Sequence, residues 1–135
     1  MRESQIGYEL IFEKSHIQIC WHEGTKTIRF FATAPYTLNE AIETNIEFER
    51  YLIEKKACNL IFHIPYPLQI PKEIIDFTVN HSIPHLNNCG IKYVAFIYYK
   101  GEEELPFLIK TEENTYKIAS FDNEYDALNW FKQEA

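Results

Sequence analysis

Residues that could do chemistry are sparse in this chain, and their spacing says what chemistry each set would do. His81, His85 and Cys89 recur at i, i+4 and i+8. On an unbroken helix that spacing gathers two imidazoles and a thiolate on one face, a donor set that suits zinc or copper. Pro84 lies inside the set and Gly90 just after it. Both spoil the helical register, so the histidines read as surface groups and no metal is assigned. Cys20 or Cys58 with His22 or His63 would supply a thiol and a base for nucleophilic catalysis. Nothing in their surroundings lowers a thiol pKa, and both cysteines fall in or beside apolar strands, where cysteine packs as a small hydrophobe. Carboxylates cluster at Glu102-Glu103-Glu104 and Glu112-Glu113 within polar stretches, as on a solvated surface. No catalytic residue and no cofactor is assigned.

The segment Cys58–Glu73, CNLIFHIPYPLQIPKE, holds the remaining candidate. It reads as a buried strand, Asn59–Ile64, then a proline-rich loop, then a helix starting near Pro71. In α/β folds ligands and partners gather where strands end. His63 closes the strand at that edge. Residues 64–71 contain no Ser, Thr, Asp, Glu, Lys, Arg, Cys or Gly, hence no nucleophile, no charge and no phosphate-binding glycine turn. Pro65, Pro67 and Pro71 stiffen the backbone and lower the entropy cost of holding it ordered. Tyr66, Leu68 and Ile70 alternate with them. His63, Pro65, Tyr66, Leu68 and Ile70 therefore form a candidate contact surface for another protein or an apolar small ligand; the competing reading is that Leu68 and Ile70 cover the sheet end and His63 is a hydrogen-bonded structural residue.

Composition narrows the classes. The chain has 135 residues, 46% of them hydrophobic, which suits one domain spanning 1–135 with a real core. The net charge is −7, and Lys55-Lys56 is the sole adjacent basic pair. That sign and scatter argue against nucleic acid and anionic membrane. No apolar run nears the ~20 residues of a membrane span. The opening MRESQIGYEL has no secretory h-region, and the 3 cysteines are widely spaced, so a cytoplasmic location with free thiols is expected. The 4 glycines build no nucleotide loop. The strand before the loop ends in His63-Ile64, where a phospho-receiver needs Asp.

Periodicity supplies the elements that would position these residues. Tyr8, Leu10 and Phe12 alternate with Glu9, Ile11 and Glu13 as in a half-buried strand. Ile17, Ile19 and Trp21 mark a second, and Thr27–Ala32 a third. Glu23-Gly24-Thr25 joins the last two, with Gly24 expected to take the positive φ of a tight turn. Thr37 and Glu40 fit a capping box that opens a helix running to about Lys56. Ala41, Phe48 and Leu52 form its inner face, flanked by Leu38, Ile42 and Ile46. Ile75, Val79, Ile83 and Leu86 predict a second helix that Pro84 must kink or end, closed by Gly90 as a left-handed cap. Lys92–Tyr99 is a buried strand, Lys117–Phe121 a further one, and Asp122 caps a last helix carrying Ala127, Leu128 and Phe131 inward. The outcome is an α/β fold: a mixed sheet of about five to six strands, an antiparallel meander followed by parallel βαβαβ units, with helices packed on it. Homodimerisation would use the meander or an exposed helix face.

The order of elements resembles the STAS-like (SpoIIAA-like) superfamily. Trp21-His22-Glu23 before the turn carries the resemblance, as does Ile83-Pro84-His85-Leu86 ahead of Cys89-Gly90-Ile91-Lys92-Tyr93-Val94-Ala95-Phe96. So does the ending Phe121-Asp122-Asn123-Glu124-Tyr125-Asp126-Ala127-Leu128-Asn129-Trp130-Phe131, of a kind found in many bacterial members. The resemblance spans nearly the whole chain. It implies a small α/β regulatory or protein-interaction domain without enzymatic activity. In anti-sigma-factor antagonists of this kind, a Ser or Thr opens the helix after a central strand and is phosphorylated. The matching place here is 64–71, which has no hydroxyl of that type, so the switch is not carried over. Relatives of similar layout that bind lipids imply the alternative, a carrier or sensor for an apolar small ligand.

Overall fold

Strand β2 (Ile17–His22) and strand β3 (Thr27–Ala32) pair antiparallel, so Ile19 lies beside Phe30 and Trp21 beside Ile28. The computed structural model describes residues 7–64, 71–97 and 116–134. Between these strands Glu23–Thr25 forms a 3-10 turn. The positive φ falls on Lys26 (53°), not on Gly24 as the sequence suggests. Gly24 serves a different need: a Cβ there would stand 3.2 Å from Cε1 of His22, whose ring folds over the turn and accepts the Thr25 N–H through Nδ1.

Strand β1 (Glu9–Lys14) pairs antiparallel with β2, with a bulge between Leu10 and Phe12. The extra residue breaks the expected alternation. Phe12 and Ile11 both pack against the core, and Leu10 is left exposed. The sequence pattern had grouped Leu10 with Phe12; the bulge separates them.

Helix α1 (Leu38–Glu54) opens at Thr37 with the expected capping box: Thr37 Oγ1 accepts from Glu40 N at 3.2 Å, and Glu40 Oε1 accepts from Thr37 N at 2.9 Å. It ends at Glu54, two residues before Lys56, which takes a left-handed φ of 55°. Phe48 and Leu52 face the sheet, whereas Ile42 and Ile46 turn outward. Strand β4 (Asn59–His63) then runs parallel to β3.

Helix α2 (Lys72–Phe77) gives way to a π turn at Thr78–Ser82, a helical turn at Ile83–His85 and a 3-10 turn at Leu86–Asn88. Pro84 has no N–H and its ring crowds the carbonyl four residues back, so the wider π turn ahead of it relieves the clash. Gly90 closes the segment at φ 81°.

Strands β5 (Tyr93–Ile97) and β6 (Lys117–Phe121) continue the parallel set. The sheet is a mixed, 6-stranded α/β sheet in sequential order β1 to β6. Right-handed crossovers between adjacent parallel strands leave the segments after β3 and β4 on the same face. There Ile28, Phe48, Leu60, Phe62, Val94 and Phe96 build the larger core. Helix α3 (Glu124–Glu134) covers the opposite face with Ala127, Leu128 and Phe131 against Ile61, Ala95 and Ile97. Its cap is Asn123, whose Oδ1 accepts from Asp126 N at 2.9 Å; Asp122 instead accepts from Asn123 Nδ2. Among the described residues no helix is long and apolar enough to cross a membrane.

Candidate functional site

The face covered by α3 holds a buried ionised cluster built on the middle of β3 and the carboxyl end of β4. Arg29 and Phe31 point to this face because Ile28 and Phe30 point to the other, and the β3–β4 register sets Phe31 beside His63. Glu124 is the first residue of α3, and Tyr8 precedes β1. Arg29 Nε donates to both Glu124 oxygens at 2.8 Å. Tyr8 OH donates to Oε1 at 2.7 Å, and His63 Nδ1 donates to Oε2. Arg29 Nη1 reaches Cys20 Sγ at 3.9 Å, and its guanidinium stacks on Phe31, 4.2 Å from the ring centre.

Arg29 is 1% exposed and Glu124 8% exposed, so both charges are taken out of water at considerable cost. Burial by itself would raise the Glu124 carboxyl. The His63 hydrogen bond, the Arg29 charge and the Tyr8 and Arg29 hydrogen bonds outweigh it and hold Glu124 below the usual carboxylate range. Burial, then the Glu124 charge, push the Tyr8 phenol well above its ordinary value. The cluster is an anion fully enclosed by donors from three separated parts of the chain. A histidine oriented by a carboxylate is half of a general-base arrangement. Here both carboxylate oxygens are shared with Arg29 or Tyr8 as well, so the group ties α3 to the sheet.

The sequence-derived pairs separate differently. Cys58 and His63 lie at opposite ends of β4, about 16 Å apart at strand rise. Cys20 joins the His63 face through Arg29, and His22 is turned to its own 3-10 turn. His81 and His85 have ring centres 5.3 Å apart, and His81 stacks on Phe77. His85 bonds Glu49 of α1 at 3.0 Å, and Cys89 donates to the His85 carbonyl. Among the described residues, no group of three or more His, Cys, Asp and Glu converges as a metal site requires. Of the contact surface, His63 is buried in the cluster; Pro65, Tyr66, Leu68 and Ile70 lie outside the described residues, as do Glu102-Glu103-Glu104 and Glu112-Glu113.

A cavity of ≈ 40 Å³ lies between the sheet end and helices α1 and α2, lined by Phe30, Tyr36, Phe48, Phe62, Ile64 and Phe77 among others. It has room for about one water-sized group.

Arg29, Glu124 and Tyr8 were not legible as a group. The signal available was a lone arginine inside the apolar strand TIRFFA, which must find a buried partner. Its partner is 95 residues away and marked by nothing local. No family model, no curated protein and no solved structure matches the chain.

Proposed function

We propose that this chain is a non-enzymatic regulatory or protein-interaction module of STAS-like type. It acts in the cytoplasm and lacks the phosphorylatable Ser or Thr of anti-sigma-factor antagonists. The observation that supports this reading is the closure of the ionised cluster: both oxygens of Glu124 are committed to Tyr8, Arg29 and His63. A carboxylate so enclosed holds the fold and leaves contact to the surface beyond His63, where Pro65, Tyr66, Leu68 and Ile70 follow. The test is capture from native lysate with the wild-type chain, Tyr66→Ala and Leu68→Asp as baits. Loss of the same captured protein in both variants is the expected result. Identical capture by all three would remove the segment as an interface.

A carrier of a small apolar ligand is the second reading, favoured by the aromatic lining of the cavity at Phe30, Phe48 and Phe62. At ≈ 40 Å³ that cavity would have to widen to take a lipid-like chain. Native mass spectrometry of freshly purified protein tests it: added mass that organic extraction releases is expected, and the bare chain mass in every preparation would reject it.

A further inference from the structure

The segment that follows α2 carries two imidazoles side by side. His81 stands in the π turn and His85 ends the helical turn after it, and both are exposed. Their ring centres lie 5.3 Å apart, with the planes inclined by 39°. Pro84 stands between them in the chain and does not separate them in space. Two imidazoles that share one tetrahedral ion, each bound at about 2.0–2.1 Å, hold their ring centres roughly 5 Å apart. The pair already has the spacing of a chelate.

We propose that His81 and His85 form an open chelate for a late first-row divalent cation, with copper(II) held most tightly. Imidazole nitrogen suits this class of ion, and affinity for such a site rises along the series to copper. The inference goes beyond the interaction-module reading and holds whether or not residues 64–71 have a partner. A closed structural site takes four protein ligands, and this pair is not one. Cys89 stays outside the set, because its Sγ–H faces the His85 carbonyl at 3.4 Å. Water or a donor brought by a partner fills the remaining positions, so the ion is exchangeable.

The support behind His85 distinguishes this pair from two ordinary surface histidines. Its Nδ1 donates to both oxygens of Glu49, on α1, at 3.0 Å. A histidine that ligates through one nitrogen typically donates the other to a carboxylate, which fixes the tautomer and raises the basicity of the ligating atom. Here the proton sits on Nδ1, and Nε2 keeps its lone pair. Glu49 is held in turn: Asn45 Nδ2 donates to its Oε2 at 3.0 Å, and Ser82 Oγ donates to Asn45 Oδ1 at 3.0 Å. Ser82 follows His81 in the π turn, so this chain of hydrogen bonds starts beside one imidazole and ends on the other. Phe77 stacks on the His81 ring with centres 5.1 Å apart and steadies it. The His81 nitrogens make no hydrogen bond among the described residues. The other three histidines do not compete, since His16 and His63 are buried and His22 accepts from Thr25 N.

Calorimetric titration of the full chain with copper(II), and separately with zinc(II), tests the proposal. One ion per chain is expected, with copper(II) bound about tenfold or more tighter than zinc(II). Electron paramagnetic resonance of the copper-loaded chain should show coupling to two imidazole nitrogens. His81→Ala and His85→Ala are each expected to weaken copper binding by about tenfold or more and to leave coupling to one. Glu49→Gln keeps an acceptor for Nδ1 but loses the charge, and is expected to weaken binding by about tenfold. Thermal melting by circular dichroism confirms that the variants fold. A readout independent of any substitution is the imidazole proton spectrum of the wild-type chain, in which substoichiometric copper(II) should broaden the His81 and His85 signals first. No saturable copper binding, binding unchanged in both histidine variants, or first broadening at another histidine overturns the proposal. Glu49→Gln binding as tightly as the wild type overturns the role given to the carboxylate, and with it the argument that singles out this pair.

Discussion

Arg29 and Glu124 are 95 positions apart in the chain, and the Arg29 Nε–H is shared between both Glu124 oxygens at 2.8 Å. This contact fastens the first turn of α3 to the middle of the sheet. Its partners Tyr8 and His63 come from two further places, so one carboxylate joins the start of the chain, β3, β4 and α3.

Breaking this cluster from one side should be costly. Arg29→Met leaves an enclosed carboxylate without its cation, and a loss of about 3–5 kcal/mol is expected in urea unfolding. Arg29→Met combined with Glu124→Leu removes both charges and is expected to recover a large part of that loss. A double variant no more stable than Arg29→Met would show that the pair is not coupled.

The cluster also sets the pH dependence. Glu124 is held below its ordinary value of 4.5 in the folded protein. Below that value the unfolded chain takes up the proton first, so its contribution is present above about pH 4.5 and is lost as pH falls through the lowered folded value. Tyr8 is raised above its ordinary value of 10.0, so the folded state is penalised once the unfolded phenol ionises above that pH. Glu124→Gln should flatten the acid limb of stability against pH, and Tyr8→Phe the alkaline limb. Unchanged limbs in these variants would contradict the assigned groups.

Gly90 has φ 81° and nothing within 4 Å of where a Cβ would stand. Gly90→Ala should therefore cost only backbone strain, about 1–2 kcal/mol. At the same position Asn, which tolerates the left-handed region, should cost less than Ala. Thermal denaturation of the pair checks the order, and equal losses would point to a packing cause.

The capping box at the start of α1 is testable in the same way. Thr37→Ala removes the acceptor for Glu40 N and should lower stability by about 1 kcal/mol. Thr37→Ser keeps the oxygen and should retain most of it. If both lose equally, the hydroxyl is not what caps the helix.

Features whose causes lie within a few residues were legible in the sequence. Thr37 and Glu40 are three apart and announce the cap of α1. The alternation Ile17, Ile19, Trp21 announces β2, and Pro84 announces a break in the helix after Pro71. Three local readings missed. Gly24 was assigned a positive φ that falls on Lys26, and Gly24 instead sits close under the His22 ring. Asp122 yielded the cap to Asn123, one residue on. Leu10 lost its place in the core to a bulge that depends on the pairing with β2.

The sequence by itself determined the order of elements and the α/β class, since hydrophobic period and end signals act over single turns and strands. Tertiary structure decided which polar residues meet. Arg29 reads as an oddity in an apolar strand until the sheet register and the α3 crossing bring Glu124, His63 and Tyr8 around it. It likewise decided which apolar residues stay outside. Ile42 and Ile46 share a helix with Phe48 and Leu52, but only the angle at which α1 meets the sheet shows which pair is buried. Periodicity marks a stripe, whereas burial depends on what the rest of the chain lays against it.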